Sequence, residues 1–175
     1  MNELKEAIKI FPNYFLALHQ LGKIYFLKQM YPEAYQVLIK AADVNPKSPK
    51  TLFFLGYSLH KLNYNKAALI ALTQAYTLSP AAVSVLWTLG TVERSEGKFT
   101  DAEKHLLKAK KLAKAPIADI HWELAQLYGE DLKKFDAAAD ELEAFLKARP
   151  DAKDALTIKE MIKKLREKAK TAAAK

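Results

Sequence analysis

The stretch Leu52-Phe53-Phe54-Leu55-Gly56-Tyr57-Ser58-Leu59-His60 contains the pair whose recurrence decides the fold. Leu55-Gly56 is preceded by Leu21-Gly22 and followed by Leu89-Gly90, each 34 residues away. The same interval carries Ala34 to Ala68 and Ala102, Leu38 to Leu72 and Leu106, Ala41 to Ala75 and Ala109, and Pro46 to Pro80. Self-similarity at one period over so many positions marks a stacked array, whose units pack on their neighbours rather than around one central core. Within each unit the apolar residues recur at helical spacing. Abundant Ala, Leu and Lys with little Gly favour helix over strand.

Leu-Gly, a Tyr three residues on (Tyr25), a small residue (Ala34), Leu38, a second small residue (Ala41) and a closing Pro46 together resemble the tetratricopeptide repeat (TPR). The resemblance implies an all-α, right-handed alpha-alpha superhelix, a TPR solenoid of A and B helices, with a C-terminal capping helix. Residues 1–12 are expected to be the second helix of an incomplete repeat, because Leu4, Ala7 and Pro12 stand one period before Leu38, Ala41 and Pro46. Met1 is then an internal position of a larger array. Residues 13–46 make unit 1, with Leu18, Leu21, Gly22 and Tyr25 on helix A and Tyr31 at the turn. Residues 47–80 make unit 2, in which Ser48 caps a helix opened by Pro49 and the turn is Asn63-Tyr64-Asn65.

Residues 81–116 make unit 3, with Leu86, Leu89 and Gly90 on helix A, a turn at Gly97, and Thr100 with Glu103 as a capping box. Residues 117–150 make an irregular unit 4. There Leu124-Ala125 follows Leu89-Gly90 by 35 residues, Leu124 to Pro150 is one residue longer than Leu55 to Pro80, and Phe145 stands at a small-residue position. Residues 151–170, capped by Asp151, read as the amphipathic capping helix, with Ala155, Ile158, Ile162 and Leu165 on its apolar face. Residues 171–175 read as a frayed tail.

In the TPR family the A helices line a concave face that binds segments of other proteins. Helix geometry locates that face here. If Leu18, Leu21 and Tyr25 point into the interface, Leu16, His19, Lys23 and Phe26 point away. The period carries these to Lys50, Phe53, Tyr57 and His60, then to Ser84, Trp87, Thr91 and Arg94, then to Asp119, Trp122, Gln126 and Gly129. His19, Phe53, Trp87 and Trp122 are expected to stand in a row on helices about 10 Å apart. Lys23, Lys50, Lys61 and Arg94 would flank them. The candidate groove is thus His19, Lys23, Phe26, Lys50, Phe53, Tyr57, His60, Trp87, Arg94 and Trp122. A second reading of Trp122 stays open, since a one-residue shift in unit 4 would pack it between helices A and B as the family often packs a Trp. One TPR subclass grips chaperone C-terminal carboxylates through Lys, Asn and Arg. Its asparagines are missing here, which argues against a chaperone-tail receptor. The expected partner is a protein or peptide with apolar side chains and a few acids, held in the concave groove by Phe53, Tyr57 and Trp87 as anchors, with Lys23, Lys50, His60 and Arg94 supplying polarity.

The chain of 175 residues has no Cys, which removes disulfide, thiolate-metal and Cys-nucleophile chemistry. His19 and His60 fall near opposite ends of neighbouring helices, about 10 Å apart along the helix. His105 lies between Lys104 and Lys108, a poor place for a cation, and His121 reads as interfacial. His-Glu-x-x-His, a Gly-rich phosphate loop and Gly-x-Ser-x-Gly are all missing. The reading is therefore a scaffold or adaptor, not an enzyme, needing no cofactor and no metal. The net charge of +8 raises nucleic-acid or anion binding as an alternative. Half of that charge lies in residues 151–175, and Lys104, Lys108, Lys110, Lys111 and Lys114 add a basic run without Arg-aromatic interleaving, so a solvated outer face is the better reading and nucleic acid the weaker one. Self-association is the other alternative, a homo-oligomer joined through an uncovered edge of Leu4, Ile8 and Phe11. With no run of eighteen apolar residues and no signal-peptide pattern, the chain carries no membrane segment and reads as soluble, the cytoplasm being the favoured compartment.

Overall fold

The computed structural model describes residues 1–173. Among the described residues the chain is helical throughout and contains no strand. The helices are α1 (Asn2–Ile10), α2 (Phe15–Leu27), α3 (Tyr31–Val44), α4 (Pro49–Lys61), α5 (Asn65–Leu78), α6 (Val83–Ser95), α7 (Phe99–Leu112), α8 (Ala118–Gln126), α9 (Phe135–Ala148) and α10 (Ala155–Ala173). They pair as A and B helices, α2 with α3, α4 with α5, α6 with α7 and α8 with α9, while α1 lies on α2 and α10 on α9. The interior is a chain of apolar clusters rather than one centre. The first surrounds Leu21, Leu38, Leu55 and Leu72; the second surrounds Leu86, Leu106, Leu124 and Leu127; the third surrounds Leu142, Phe145 and Ile158.

Each pair is held at its closest point by glycine against leucine. A Cβ on Gly22 would stand 2.5 Å from the Leu38 side chain, one on Gly56 2.6 Å from Leu72, and one on Gly90 2.7 Å from Leu106. Those leucines are fully buried, as are Ala34, Ala68 and Ala102 one turn before them. The same sequence interval therefore reproduces the same helix crossing three times, because only a missing side chain lets the second helix approach so closely.

The A-to-B turns repeat as well. Gln29, Asn63, Gly97 and Lys133 all take a left-handed backbone, with φ of 58°, 63°, 72° and 56°. In the first three units the following amide closes a wide turn on the carbonyl five residues back, Met30 N–H to Tyr25, Tyr64 N–H to Leu59 and Lys98 N–H to Glu93, each at 2.9 Å. This is the helix-ending pattern in which a left-handed residue satisfies the last carbonyls of the helix. Ser48 caps α4, its Oγ accepting from Thr51 N–H, with Pro49 at the first helical position.

The extra residue of the fourth unit is taken up inside its A helix. After α8 the backbone widens into a π-helical turn, Leu127–Asp131, and the closing amide, Lys134 N–H, reaches back six residues to the Tyr128 carbonyl. A π turn inserts one residue without breaking the helix. The close approach moves with it. Gly129 now faces Ala138, and a Cβ there would stand 3.3 Å from the Ala138 methyl.

Three local expectations are corrected. Thr100 and Glu103 do not form a capping box: α7 starts at Phe99 with Lys98 at its cap, so both residues lie inside the helix. Glu103 instead accepts from Lys134 Nζ at 2.8 Å. Asp151 does not cap the last helix, because residues 149–155 run through two turns, Ala152 N–H to Arg149 and Ala155 N–H to Ala152, before α10 begins. The helix also continues past Lys170 through Thr171 to Ala173, where a frayed tail was expected; residues 174–175 lie outside the described residues.

Successive A helices approach one another, α2 with α4 and α4 with α6, more closely than successive B helices do. The array therefore curves with its A helices inside. Two glycines separate the two constraints. Gly90→Ala is expected to lower stability by about 2–3 kcal/mol through overpacking against Leu106. Gly97→Ala, with open space around its Cβ, is expected to lose about 1 kcal/mol from backbone strain alone. Urea unfolding of both variants checks this, and equal losses would contradict the steric account.

Candidate protein-binding face

The residues expected on the inner face do not all meet. His19, Phe26, Phe53 and Tyr57 do, in one half-buried aromatic cluster where α2 crosses α4. Phe26 is its hub, with ring centroids 5.1 Å from Tyr57 and 6.2 Å from Phe53. The cluster also holds residues that the inner-face column missed. Phe54 lies 4.8 Å from Phe26 and 5.9 Å from His19, and Tyr31, the first residue of α3, lies 6.2 Å from Tyr57. Phe54 was passed over because it is one position, about 100° of helix, from Phe53; a column carried by period alone selects a single residue per turn.

The continuous row of rings is not formed. Among the described residues no ring pair joins Phe53 to Trp87 or Trp87 to Trp122. Trp87 packs against the second cluster, with its Nε1 buried and unpaired. Trp122 packs at a tilt against Phe145, ring centroids 5.4 Å apart, as part of the third cluster. Its other side opens onto a cavity beside α10.

The charges divide along the face. His19 sits with Lys23 and Lys50, and its Nδ1 lies 2.8 Å from Thr51 Oγ1. Thr51 Oγ1 is in turn 2.8 Å from Ser48 Oγ, so His19, Thr51 and Ser48 form one hydrogen-bonded chain. Burial, then Lys23 and Lys50, push the His19 pKa below its ordinary value. At the other end stand carboxylates. Burial first, then Asp119 and Glu123 on α8, push the Tyr57 hydroxyl above its ordinary value, so the superhelix brings α8 within electrostatic reach of α4. Glu123 is itself raised by burial, against the opposing pull of Arg94 and Lys61. Lys61 also places its ammonium 5.4 Å from the Tyr57 ring centroid.

Two polar members of the expected groove are spent inside the chain. Arg94 donates from Nε to Asp131 at 2.6 Å, from Nη1 to Gln126 at 2.8 Å and from Nη2 to Glu130 at 2.7 Å. It clamps α6 to the π turn instead of offering charge to a ligand. His60 Nδ1 is 2.8 Å from Asn65 Oδ1 and ties α4 to the start of α5. Lys50, by contrast, is exposed. The basic run on α7 is likewise partly occupied, since Lys108 Nζ donates to the Tyr76 hydroxyl at 3.0 Å and Lys110 pairs with Glu141 at 2.6 Å. Glu141 also receives the buried His121 at 2.7 Å, and His105 pairs with Glu93 at 2.7 Å. These histidine-carboxylate ties join neighbouring helices, and no group of residues fit to hold a metal is found among the described residues.

An inner face of stacked A helices, with half-open rings on it, defines a helical-repeat array of the kind that presents a surface. The tetratricopeptide repeat family model matches two stretches of this chain, residues 49–81 and 118–152. A TPR repeat-containing protein of Methanocaldococcus jannaschii is 26% identical over 125 residues, 71% of this chain; the chain spans about a fifth (21%) of that relative's length. Similar solved structures include YrrB, described as a TPR protein with an unusual peptide-binding site, at 23% identity and a TM-score of 0.75 over 91% of this chain and 84% of that one. Another is PilF of Pseudomonas aeruginosa, at 21% identity and a TM-score of 0.76 over 98% of this chain and 77% of that one. No helix among the described residues is long and apolar enough to cross a membrane.

The lowered pKa of His19 makes a signed prediction. Its stabilising preference for the neutral state is fully present above the unfolded value of 6.5 and is lost as pH falls through the lower folded value. Urea unfolding at about pH 7.5 and about pH 5 should show the stability difference between wild type and His19→Gln shrinking on the acid side. A difference independent of pH would refute it.

Proposed function

We propose that this chain is a protein-interaction scaffold that binds a peptide or protein segment on its inner face, with the Phe26-Phe53-Phe54-Tyr57 cluster as the apolar anchor site. The observation that carries the reading is the cluster itself: four large rings left half-open on the face where A helices converge, next to Lys23 and Lys50. Aromatic side chains supply large contact area with few rotatable bonds, and they dominate interface energies. The surface is preformed, so binding orders little of the receptor. That YrrB is described as having a peptide-binding site supports the class of ligand and leaves its identity to experiment. A ligand with apolar residues beside one or two acids matches the lysine end. A chaperone-tail receptor remains disfavoured, because His19, Lys23, Phe53 and Tyr57 occupy the face where the clamp's asparagines would stand.

Self-association has one observation in its favour. Ile10 and Phe11 are 67% and 65% exposed, with Tyr14 and Leu16 beside them in sequence and also exposed. Leu4 and Ile8 are not part of that edge, since they pack on the first cluster. The two readings separate cleanly. In affinity capture from nuclease-treated lysate of the source organism, Phe53→Ala with Tyr57→Ala should lose the retained partner by tenfold or more with the helical circular dichroism unchanged. Lys104→Glu with Lys111→Glu should change retention by less than twofold. Undiminished capture by the double alanine variant would reject the inner-face reading, and light scattering at rising concentration would then test the Ile10-Phe11 edge.

A further inference from the structure

A second binding position lies where the array ends. Between α8, the π turn and α10 is a cavity of about 220 Å³ floored by Trp122, Ala125, Leu142, Met161 and Leu165. The π turn carries Gly129 instead of a side chain into the gap, and a Cβ on Gly129 would already stand 3.5 Å from Leu165. The wall on the α8 side is rigid. Gln126 and Glu130, which line the cavity, are two of the three groups to which Arg94 of α6 donates, at 2.8 and 2.7 Å. Arg94 is shared by Glu130, Asp131 and, at 3.9 Å, Glu123, so its single charge offsets this acidic wall only in part. The cations at the mouth are the ammonium groups of Lys164 and Lys168 on the opposite, α10 side; neither has a carboxylate within ion-pair distance among the described residues, and Lys168 lies 5.8 Å from the Phe135 ring centroid.

We infer that this cavity is a specificity pocket for one bulky apolar side chain of a partner peptide, with Lys164 and Lys168 pairing acidic residues that flank it. Size selects the occupant: drug-sized ligands fill pockets of roughly 300–1,000 Å³, and the volume here suits a single leucine-sized or phenyl side chain. Charge selects its neighbours, since the two lysines on the α10 rim favour acids over bases in the residues that lie along that helix. Arg94 is a positioning residue, holding the wall formed by Gln126 and Glu130. The pocket is separate from the Phe26-Phe53-Tyr57 cluster and rests on different residues, so either site can fail alone.

Trp122 makes the pocket its own reporter. In a Trp87→Phe background it is the only tryptophan. The probe is the acetylated, amidated peptide Glu-Glu-Leu-Phe-Glu-Asp, compared with Lys-Lys-Leu-Phe-Lys-Lys and with Glu-Glu-Ser-Ser-Glu-Asp. The acidic apolar peptide should shift Trp122 emission saturably, and both comparison peptides should bind at least tenfold more weakly. Lys164→Glu with Lys168→Glu, two exposed positions, should weaken the acidic probe at least tenfold at unchanged thermal midpoint. Arg94→Ala should weaken it about fivefold, and Phe53→Ala should leave it within twofold. No saturable shift, an equal response to the serine peptide, or stronger binding of the lysine peptide would overturn the inference. Loss of the signal on Phe53→Ala with none on the lysine reversals would assign the probe to the inner-face cluster and also overturn it.

Discussion

The constraint on which the array depends is the close packing of a leucine on a glycine. Gly22, Gly56 and Gly90 each let a B helix press its leucine onto the A-helix backbone, at distances no Cβ would tolerate. That contact sets how each pair crosses. Because the pairs are nearly identical, stacking them accumulates one rotation per repeat, and a superhelix with an inside and an outside is the result. The inner face follows from it: once Leu21, Leu38, Leu55 and Leu72 are in the interface, the opposite stripe of each A helix has nowhere to go but inward. Function here is a by-product of how the core is closed.

The fourth repeat shows what happens when the constraint is relaxed. Ala125 replaces the glycine, one residue is added, and the helix answers with a π turn that hands the close approach to Gly129. Phe145 then stands where Ala109 is small in the third repeat, and it packs at a tilt against Trp122. The stack cannot continue in its regular geometry. Ion pairs replace part of the lost apolar contact: Arg94 reaches across to Asp131 and Glu130, and Lys110, Glu141 and His121 form a line between α7, α9 and α8. Such pairs are weak where exposed and matter most where buried, which is where Glu141 and His121 lie.

The fold was legible because periodicity is a property of many positions at once. Leu-Gly, the alanines and the prolines each repeat, and an error at one does not move the others. Single-residue inferences lacked that protection. Thr100-x-x-Glu103 has the letters of a capping box, yet the helix had already begun at Phe99. Arg94 stands in the inward column, but whether its guanidinium faces a ligand or a carboxylate depends on Glu130 and Asp131, which the irregular repeat places 36 and 37 residues later. Period arithmetic assumes that every repeat is alike, and Arg94 is occupied because the next one is not. Phe54 was missed for a related reason: it faces the preceding repeat, and only the crossing angle of α2 on α4 makes it a neighbour of Phe26.

Regularity and recognition therefore pull against each other along this chain. Where the 34-residue pattern is intact, the inner face is a plain column and the only variable is which side chains occupy it. There, an aromatic cluster has gathered at the α2-α4 crossing. Where the pattern slips, the backbone makes shapes that regular stacking forbids: a widened turn, a glycine facing a gap, and a cavity with a charged rim. Selectivity needs such shapes, because a flat apolar strip discriminates poorly among partners with similar side chains whereas a closed pocket rejects by size and charge together. The irregular fourth repeat, which weakens the sequence pattern, is the part of the array that carries the cavity inferred here to be selective.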